Sequence, residues 1–340
     1  LEFLNNYGLF LAQAITIVVA IVAVLIAIVG LTTKPKSEHG HLDVTNISDR
    51  IADSIDDIKQ IILSKDQYKA ELKANKKAKK VADKTPENVK NNAYVIDFNG
   101  SMDASQVEGL RREISAVIQI ASKDDEVIVR LESPGGVVHG YGLAASQLKR
   151  ITSREIPLTI TVDKVAASGG YMMACIANKI VSAPFAIIGS IGVIAQIPNF
   201  SKILKKNDID FEQITAGQYK RTLTMFGENS AQDREKFQTE IDEVHTLFKD
   251  HVANNRPQLD MDKVATGETW YGEQALALGL VDELLTSDDY LLEVNKSKAI
   301  YKVQYSVPKT LSQKLGKAAS LSLENSLFSL WSKVTNWRGI

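Results

Sequence analysis

One cysteine, Cys175, stands in a chain of 340 residues, which excludes an internal disulfide framework and any multi-cysteine metal site. Neither sign of charge dominates: 40 Lys and Arg face 41 Asp and Glu. With no zinc-finger or RNA-binding spacing either, nothing marks the chain for nucleic acid. Histidine is scarce. Of the five, His39 and His41 lie close behind the amino-terminal apolar run, and His245 and His251 share one helical stretch. His139 follows a glycine loop, but no evident acid orients it, so a Ser-His-Asp triad is unsupported. No motif calls for a metal or another cofactor.

Long apolar runs number two. Leu9 to Leu31 is 23 residues without a charge, with Gln13 and Thr16 polar near its start, enough to cross a hydrocarbon core of about 30 Å. Its length, and the lack of a basic residue before it, favour an uncleaved anchor over a signal peptide. Lys34, Lys36 and the stretch KANKKAKK (73–80) follow it, so the positive-inside rule puts the bulk of the chain in the cytoplasm. The second run, 180–197, is broken by Pro184, Gly189 and Gly192 and reads as strand, turn and strand in a core, not as a second span.

These features divide the chain into an anchor over 1–33, a charged and partly helical juxtamembrane segment over 34–92, an α/β domain over 93–290, and a C-terminal extension with an amphipathic helix over 291–340. In the second part Ile47, Ile51, Ile55, Ile58 and Ile62 form one helical stripe that calls for a partner. In the third, YVIDF (94–98), EVIVRL (126–131) and PLTITV (157–162) read as strands separated by helices, the order of a mostly parallel sheet. A later helix is capped by Asn229 or Ser230 and stopped by Pro257. Its predicted buried face is Phe237, Ile241, Val244, Phe248 and Val252.

Chemistry points to VDKVAASGGYMMA (162–174), where Ser168 sits between two alanines and two glycines at a strand-to-helix junction. Such a junction exposes a hydroxyl beside unpaired backbone N–H groups, and small neighbours leave room for a substrate backbone. It also suits a tight packing corner. A second glycine pair, in Ser133-Pro134-Gly135-Gly136, follows another strand and could supply amides to an oxyanion. A serine nucleophile needs a base. Besides His139, the choices are Lys220, flanked by apolar and small residues in ITAGQYKRTLTMFGE, and Lys164, four residues before the serine. A lysine buried among apolar groups gives up its proton more easily. Cys175 reads as a packing residue.

The blocks SPGGVVHGYGLAASQL, DKVAASGGYMMA, APFAIIGSIGV, AGQYKRTLT and ATGETWYGEQALALGLVDE together resemble the membrane-bound serine peptidases related to signal peptide peptidase A, the SohB type. The resemblance runs from about Tyr94 to Leu285 and includes the single anchor. It implies an α/β fold of the ClpP/crotonase-like kind, a β-β-α superhelix, carrying one N-terminal transmembrane helix. It also implies a serine endopeptidase with a Ser-Lys dyad and no cofactor, acting on membrane-associated peptides or misfolded proteins. The nucleophile would be Ser168 and the base Lys220, 52 positions apart, with Gly135 or Gly136 and the Gly169 amide at the oxyanion and Ser190 bonding the lysine. The partners it implies are peptide or unfolded-protein substrates, the lipid bilayer and copies of the chain, in a ring that analogy with smaller relatives makes eightfold. It places the protein in the bacterial inner membrane, where better-known relatives face outward, against the charge rule. Two rival functions use the same fold: a non-catalytic membrane scaffold that binds clients in the cleft, and an acyl-CoA enzyme of crotonase type.

Overall fold

Apolar runs with no polar alternation mark strands buried on both faces, and three of them form the middle of the main sheet. The computed structural model describes residues 40–82 and 91–308, with isolated positions between 7 and 17. The strands are β1 (His41–Asn46), β2 (Asn92–Asn99), β3 (Glu126–Glu132), β4 (Leu158–Val162), β5 (Val165–Ala167), β6 (Lys179–Ser182), β7 (Ile187–Gly189), β8 (Thr269–Tyr271), β9 (Glu283–Leu284) and β10 (Ala299–Ser306). Seven make one sheet in the order β1-β10-β2-β3-β4-β6-β9, parallel from β10 through β9. A second sheet has β7 in its centre, parallel to β5 and antiparallel to β8.

The helices are α1 (Ile47–Ile62), α2 (Lys65–Ala82), α3 (Val107–Ile120), α4 (Val138–Thr152), α5 (Gly169–Ala174), α6 (Ser201–Lys206), α7 (Ala231–Asn255), α8 (Met261–Val264), α9 (Gly272–Ala277) and α10 (Ser287–Asn295). On one side of the sheet Leu110, Ile114, Tyr141, Leu148 and Ile151 pack against Ile96, Phe98, Val129 and Ile160. On the other, Tyr290, Leu291 and Val294 of α10 cover Val95, Ile128, Val181 and Ile300. The parallel sheet is thus layered by helices on both faces, because its central strands β2, β3 and β4 are apolar on both.

Several expectations meet the structure differently. Ser230 caps α7 in a reciprocal capping box with Asp233, at 3.0 and 2.9 Å, but only Phe248 and Val252 of the predicted stripe are buried. Phe237, Ile241 and Val244 belong to the half of α7 that faces the unpacked segment 193–229. The isoleucine stripe forms on α1, yet Ile55, Ile58 and Ile62 are exposed; Ile47 alone joins a core cluster, while Ser48 ties the helix to Asn295 and Ile300. Residues 299–306, assigned to the extension, add a strand beside β2, because Ile300 and Val303 bury on the sheet. The run 180–197 holds β6 and β7, the strand pattern expected of it, with no strand after Gly189.

Leu42–Tyr305 form one compact unit; the other, Leu1–His41 with Ser306–Ile340, lies almost wholly outside the described residues. Most of the predicted anchor and the C-terminal amphipathic pattern therefore fall there. Among the described residues no helix is long and apolar enough to cross a membrane.

An ion pair built on a buried arginine closes the far end of α7. Arg256, 4% exposed, donates to both carboxylate oxygens of Asp282 at 2.8 and 2.7 Å and to the Gly279 carbonyl at 2.9 Å. Partial burial pushes the Asp282 carboxyl up, but hydrogen bonds from Arg256 and the Ile180 amide outweigh it and hold it below the usual carboxylate range. Its contribution is therefore present above the unfolded value of about 3.9 and is lost as pH falls through the lower folded value. Asp282→Asn leaves the guanidinium only neutral acceptors and should cost about 2 kcal/mol in urea unfolding at pH 7, since the aspartate side of the pair is open to solvent. That difference should shrink below about pH 3.5.

Candidate active site

Ser168 stands where β5 ends and α5 begins, with φ +53° and ψ −118°, a conformation that only strong surrounding contacts impose on a residue with a Cβ. Its N–H donates to the Gly189 carbonyl at 2.8 Å, and its own carbonyl accepts from Met172 N–H at 2.9 Å. Its hydroxyl makes no hydrogen bond among the described residues, and the residue is half-buried.

The glycine loop is stitched to the same strand. Ser133 N–H donates to the Val165 carbonyl at 2.8 Å, and Ala167 N–H donates to the Ser133 carbonyl at 3.0 Å. Gly135 takes φ +89°, and a Cβ there would lie 2.7 Å from Ser168 Cβ. The Gly135 amide is already used, donating to Ser133 Oγ at 3.1 Å. The amides of Gly136 and Gly169 have no intramolecular acceptor among the described residues. Of the three candidate oxyanion donors, these two are open to a ligand.

Gly136, Ser168 and Gly169 border one cavity of ≈ 80 Å³ together with Tyr141, Met172, Val193, Ile194, Val244 and Phe248. A larger cavity of ≈ 350 Å³ lies among Asp97, Arg130, Glu132 and Asp163 at the strand ends, away from every candidate residue. Its charges are spoken for: Arg130 grips Asp97 at 2.6 and 2.9 Å, and Lys164 meets Glu132 at 3.0 Å. Size does not mark the site here.

The small residues around Ser168 make room for the protein's own packing, the tight-corner alternative among the two readings of this stretch. A Cβ on Gly169 would meet the Tyr141 ring at 2.3 Å, and one on Gly170 would meet the Ser133 carbonyl at 2.5 Å. Ala166 and Ala167 are buried. The neighbourhood is a close-packed corner that also presents a hydroxyl.

Lys220 is not brought to this cavity. It lies on an exposed loop and borders no part of the space beside Ser168. The neighbours expected to bury it are themselves in solvent, Ile214 at 94% and Tyr219 at 51%, so the protomer offers the ammonium no apolar shell. Ser190 takes φ +53° and donates its N–H to the Glu268 carbonyl at 2.6 Å; its hydroxyl has no partner among the described residues. Lys164, the alternative base, is an exposed partner of Glu132. His139 is exposed, while His245 and His251 meet the backbone carbonyls of Ile191 and Met172 at 3.2 and 2.9 Å. Cys175 is fully buried, and burial pushes its thiol up to about 12, which leaves it inert as a nucleophile. Among the described residues no cluster of His, Cys, Asp or Glu could hold a metal ion.

Tyr141, Met172 and Phe248 were not singled out beforehand as site residues. Met172 is part of the serine block itself, and Tyr141 stands among small residues in HGYGLAAS, a signal that could have found it.

Models of the peptidase family S49 N-terminal region and of peptidase family S49 match residues 2–148 and 150–301. A probable protease SohB of Haemophilus influenzae is 48% identical over 335 residues, 95% of each chain. This chain belongs to peptidase family S49. A probable protease SohB of Buchnera aphidicola is 47% identical, covering 97% of this chain and 98% of its own. Protease 4 of Haemophilus influenzae is 26% identical over 63% of this chain and 35% of its own. Among solved structures, a membrane-bound stomatin-specific protease superposes with a TM-score of 0.39 at 19% identity, over 61% of this chain and 85% of that one. The SohB-type resemblance read from the sequence is thereby shown, and with it an S49 serine-type protease.

The strained backbone gives a test separable from chemistry. Ser168→Gly relieves the positive φ and should raise stability by about 1 kcal/mol, read as a higher melting temperature; Ser168→Ala keeps a Cβ and should not.

Proposed function

We propose that the protein is a membrane-anchored serine endopeptidase working through a Ser168–Lys220 dyad and an acyl-enzyme. The observation that carries the reading is the unbonded Ser168 hydroxyl, held at a strained backbone position beside two unengaged glycine amides. Ser168 Oγ attacks a peptide carbonyl as the Lys220 amine takes its proton. The carbonyl oxygen, now negative, sits on the Gly136 and Gly169 amides, each such donor worth about 3 kcal/mol in the transition state. The lysine then hands the proton to the leaving amine, and water releases the acyl group from Ser168. Ser190, with its free hydroxyl, is the residue assigned to orient the lysine. The narrow apolar cavity fits a short apolar side chain before the scissile bond. The fold is read as ClpP/crotonase-like.

The dyad closes between subunits in this proposal. The segment 193–229 that bears Lys220 exposes Ile194 at 79%, with Ile203, Ile209, Phe211 and Phe226 also in solvent. A soluble surface seldom leaves so much apolar area uncovered without a partner. Packing this arm on a neighbouring protomer would cover it and carry the ammonium out of water, the change that makes a lysine a base. The 23-residue apolar run supplies a single-pass anchor in the bacterial inner membrane. The crotonase-type reading uses neither Lys220 nor the anchor.

A fluorophosphonate probe should label wild type and leave Ser168→Ala unlabelled; a labelled alanine variant would reassign the nucleophile. Lys220→Ala should abolish peptide hydrolysis, while Lys164→Ala should retain it. Mixed assemblies of Ser168→Ala and Lys220→Ala chains should recover about a quarter of wild-type turnover, as random pairing across a shared interface requires. Full activity in a dilute monomer, by ultracentrifugation and assay at one concentration, would overturn the intersubunit dyad.

A further inference from the structure

A chain of hydrogen bonds runs under the glycine loop, and the donors in it are determined. Tyr141 donates its hydroxyl proton to the Ser101 carbonyl at 2.8 Å. A hydroxyl has one proton, so the 2.5 Å contact between Ser133 Oγ and Tyr141 Oη must be donated by Ser133. Ser133 Oγ in turn accepts from the Gly135 amide at 3.1 Å. The order is Gly135 N–H to Ser133, Ser133 to Tyr141, Tyr141 to Ser101. Tyr141 and Ser133 are both 0% exposed, so no water competes for these bonds.

We propose that Tyr141 is the positioning residue that sets both oxyanion amides at once, one through Ser133 and the other through its ring. This rests on Ser168 being the nucleophile. Its hydroxyl end works through the relay. Ser133 Oγ holds the Gly135 amide inward, and Gly135 at φ +89° turns the chain so that the following amide, that of Gly136, is left without an internal acceptor. Its ring end lies against Gly169, where a Cβ would come within 2.3 Å of Tyr141 Cγ, so the ring fixes how closely the second amide's residue approaches. One rigid side chain therefore spans the two donors, which come from different segments of the chain. The loop before α3 completes the cradle: a Cβ on Gly100 would lie 2.5 Å from Tyr141 Oη and 2.6 Å from Ser133 Oγ, and one on Gly136 would lie 2.0 Å from the Met102 carbonyl. Burial pushes the Tyr141 hydroxyl above its ordinary value, so it stays a donor throughout the working range of pH.

The test uses full-length wild type, Tyr141→Phe, Ser133→Ala and Ser133→Cys, with a chromogenic peptide substrate and a peptide aldehyde that adds reversibly to a catalytic serine. Tyr141→Phe keeps the ring and loses the relay; kcat should fall about tenfold with KM within twofold, since the oxyanion exists only past the ground state. The aldehyde inhibition constant should rise by the same factor. Ser133→Ala should match Tyr141→Phe, the double variant should be no worse than either, and Ser133→Cys should fall between them and wild type. Should Ser133→Ala fail to fold, Tyr141→Phe and Ser133→Cys carry the test alone. Unchanged kcat in Tyr141→Phe, losses that multiply in the double variant, or an unaltered aldehyde constant would each overturn the proposal. Fluorophosphonate labelling of wild type separates the outcomes. An unlabelled Ser168 sinks the site reading itself, whereas a labelled wild type beside a fully active Tyr141→Phe sinks the relay alone.

Discussion

The hydrogen bond from Ser168 N–H to the Gly189 carbonyl, with Gly135 pressed against the serine from the other side, is the constraint on which the candidate site depends. A residue with a Cβ does not stay at φ +53° unless its surroundings cost more to rearrange than the strain costs to keep, of order 1–3 kcal/mol. Here the surroundings are two sheets. The main sheet delivers the Ser133 loop at the end of β3, and the small sheet delivers Gly189 on β7, itself held under Trp270 of β8. Between them β5 is paired on both sides, and Ser168 is the residue that follows it.

The body of the protein is close-packed around this corner, and the glycines show how close. Five of them, Gly100, Gly135, Gly136, Gly169 and Gly170, stand where a methyl group would collide with a carbonyl, a serine or a tyrosine ring. The arm that carries Lys220 is the opposite. Across 193–229 it has one short helix, α6, a few local hydrogen bonds, and apolar side chains turned to solvent. A precise half-site on a rigid body and a basic residue on an unpacked arm fit a mechanism in which assembly, not folding of the protomer, brings base to nucleophile.

Much of the architecture was legible in local patterns. The parallel strands at 94–98, 126–131 and 157–162 were visible because strands buried on both faces read as unbroken apolar runs. A cap on α7 at Asn229 or Ser230 was visible because a cap is a contact three residues long, and the structure chooses Ser230. The place of residues 299–306 was not. Their pairing partner, β2, lies some two hundred positions earlier, and no local rule carries that distance.

The sequence by itself determined the family, the serine block, the glycine loop and the central parallel strands, since each is encoded by residues close together in the chain. Only the tertiary structure decided which amides remain free, what the small residues make room for, and that Lys220 stands outside the protomer's own cavity. Those outcomes hang on contacts between segments far apart in sequence, such as Tyr141 with Gly169 and Gly135 with Ser168. Close packing settles such contacts collectively, and no single stretch of residues carries them.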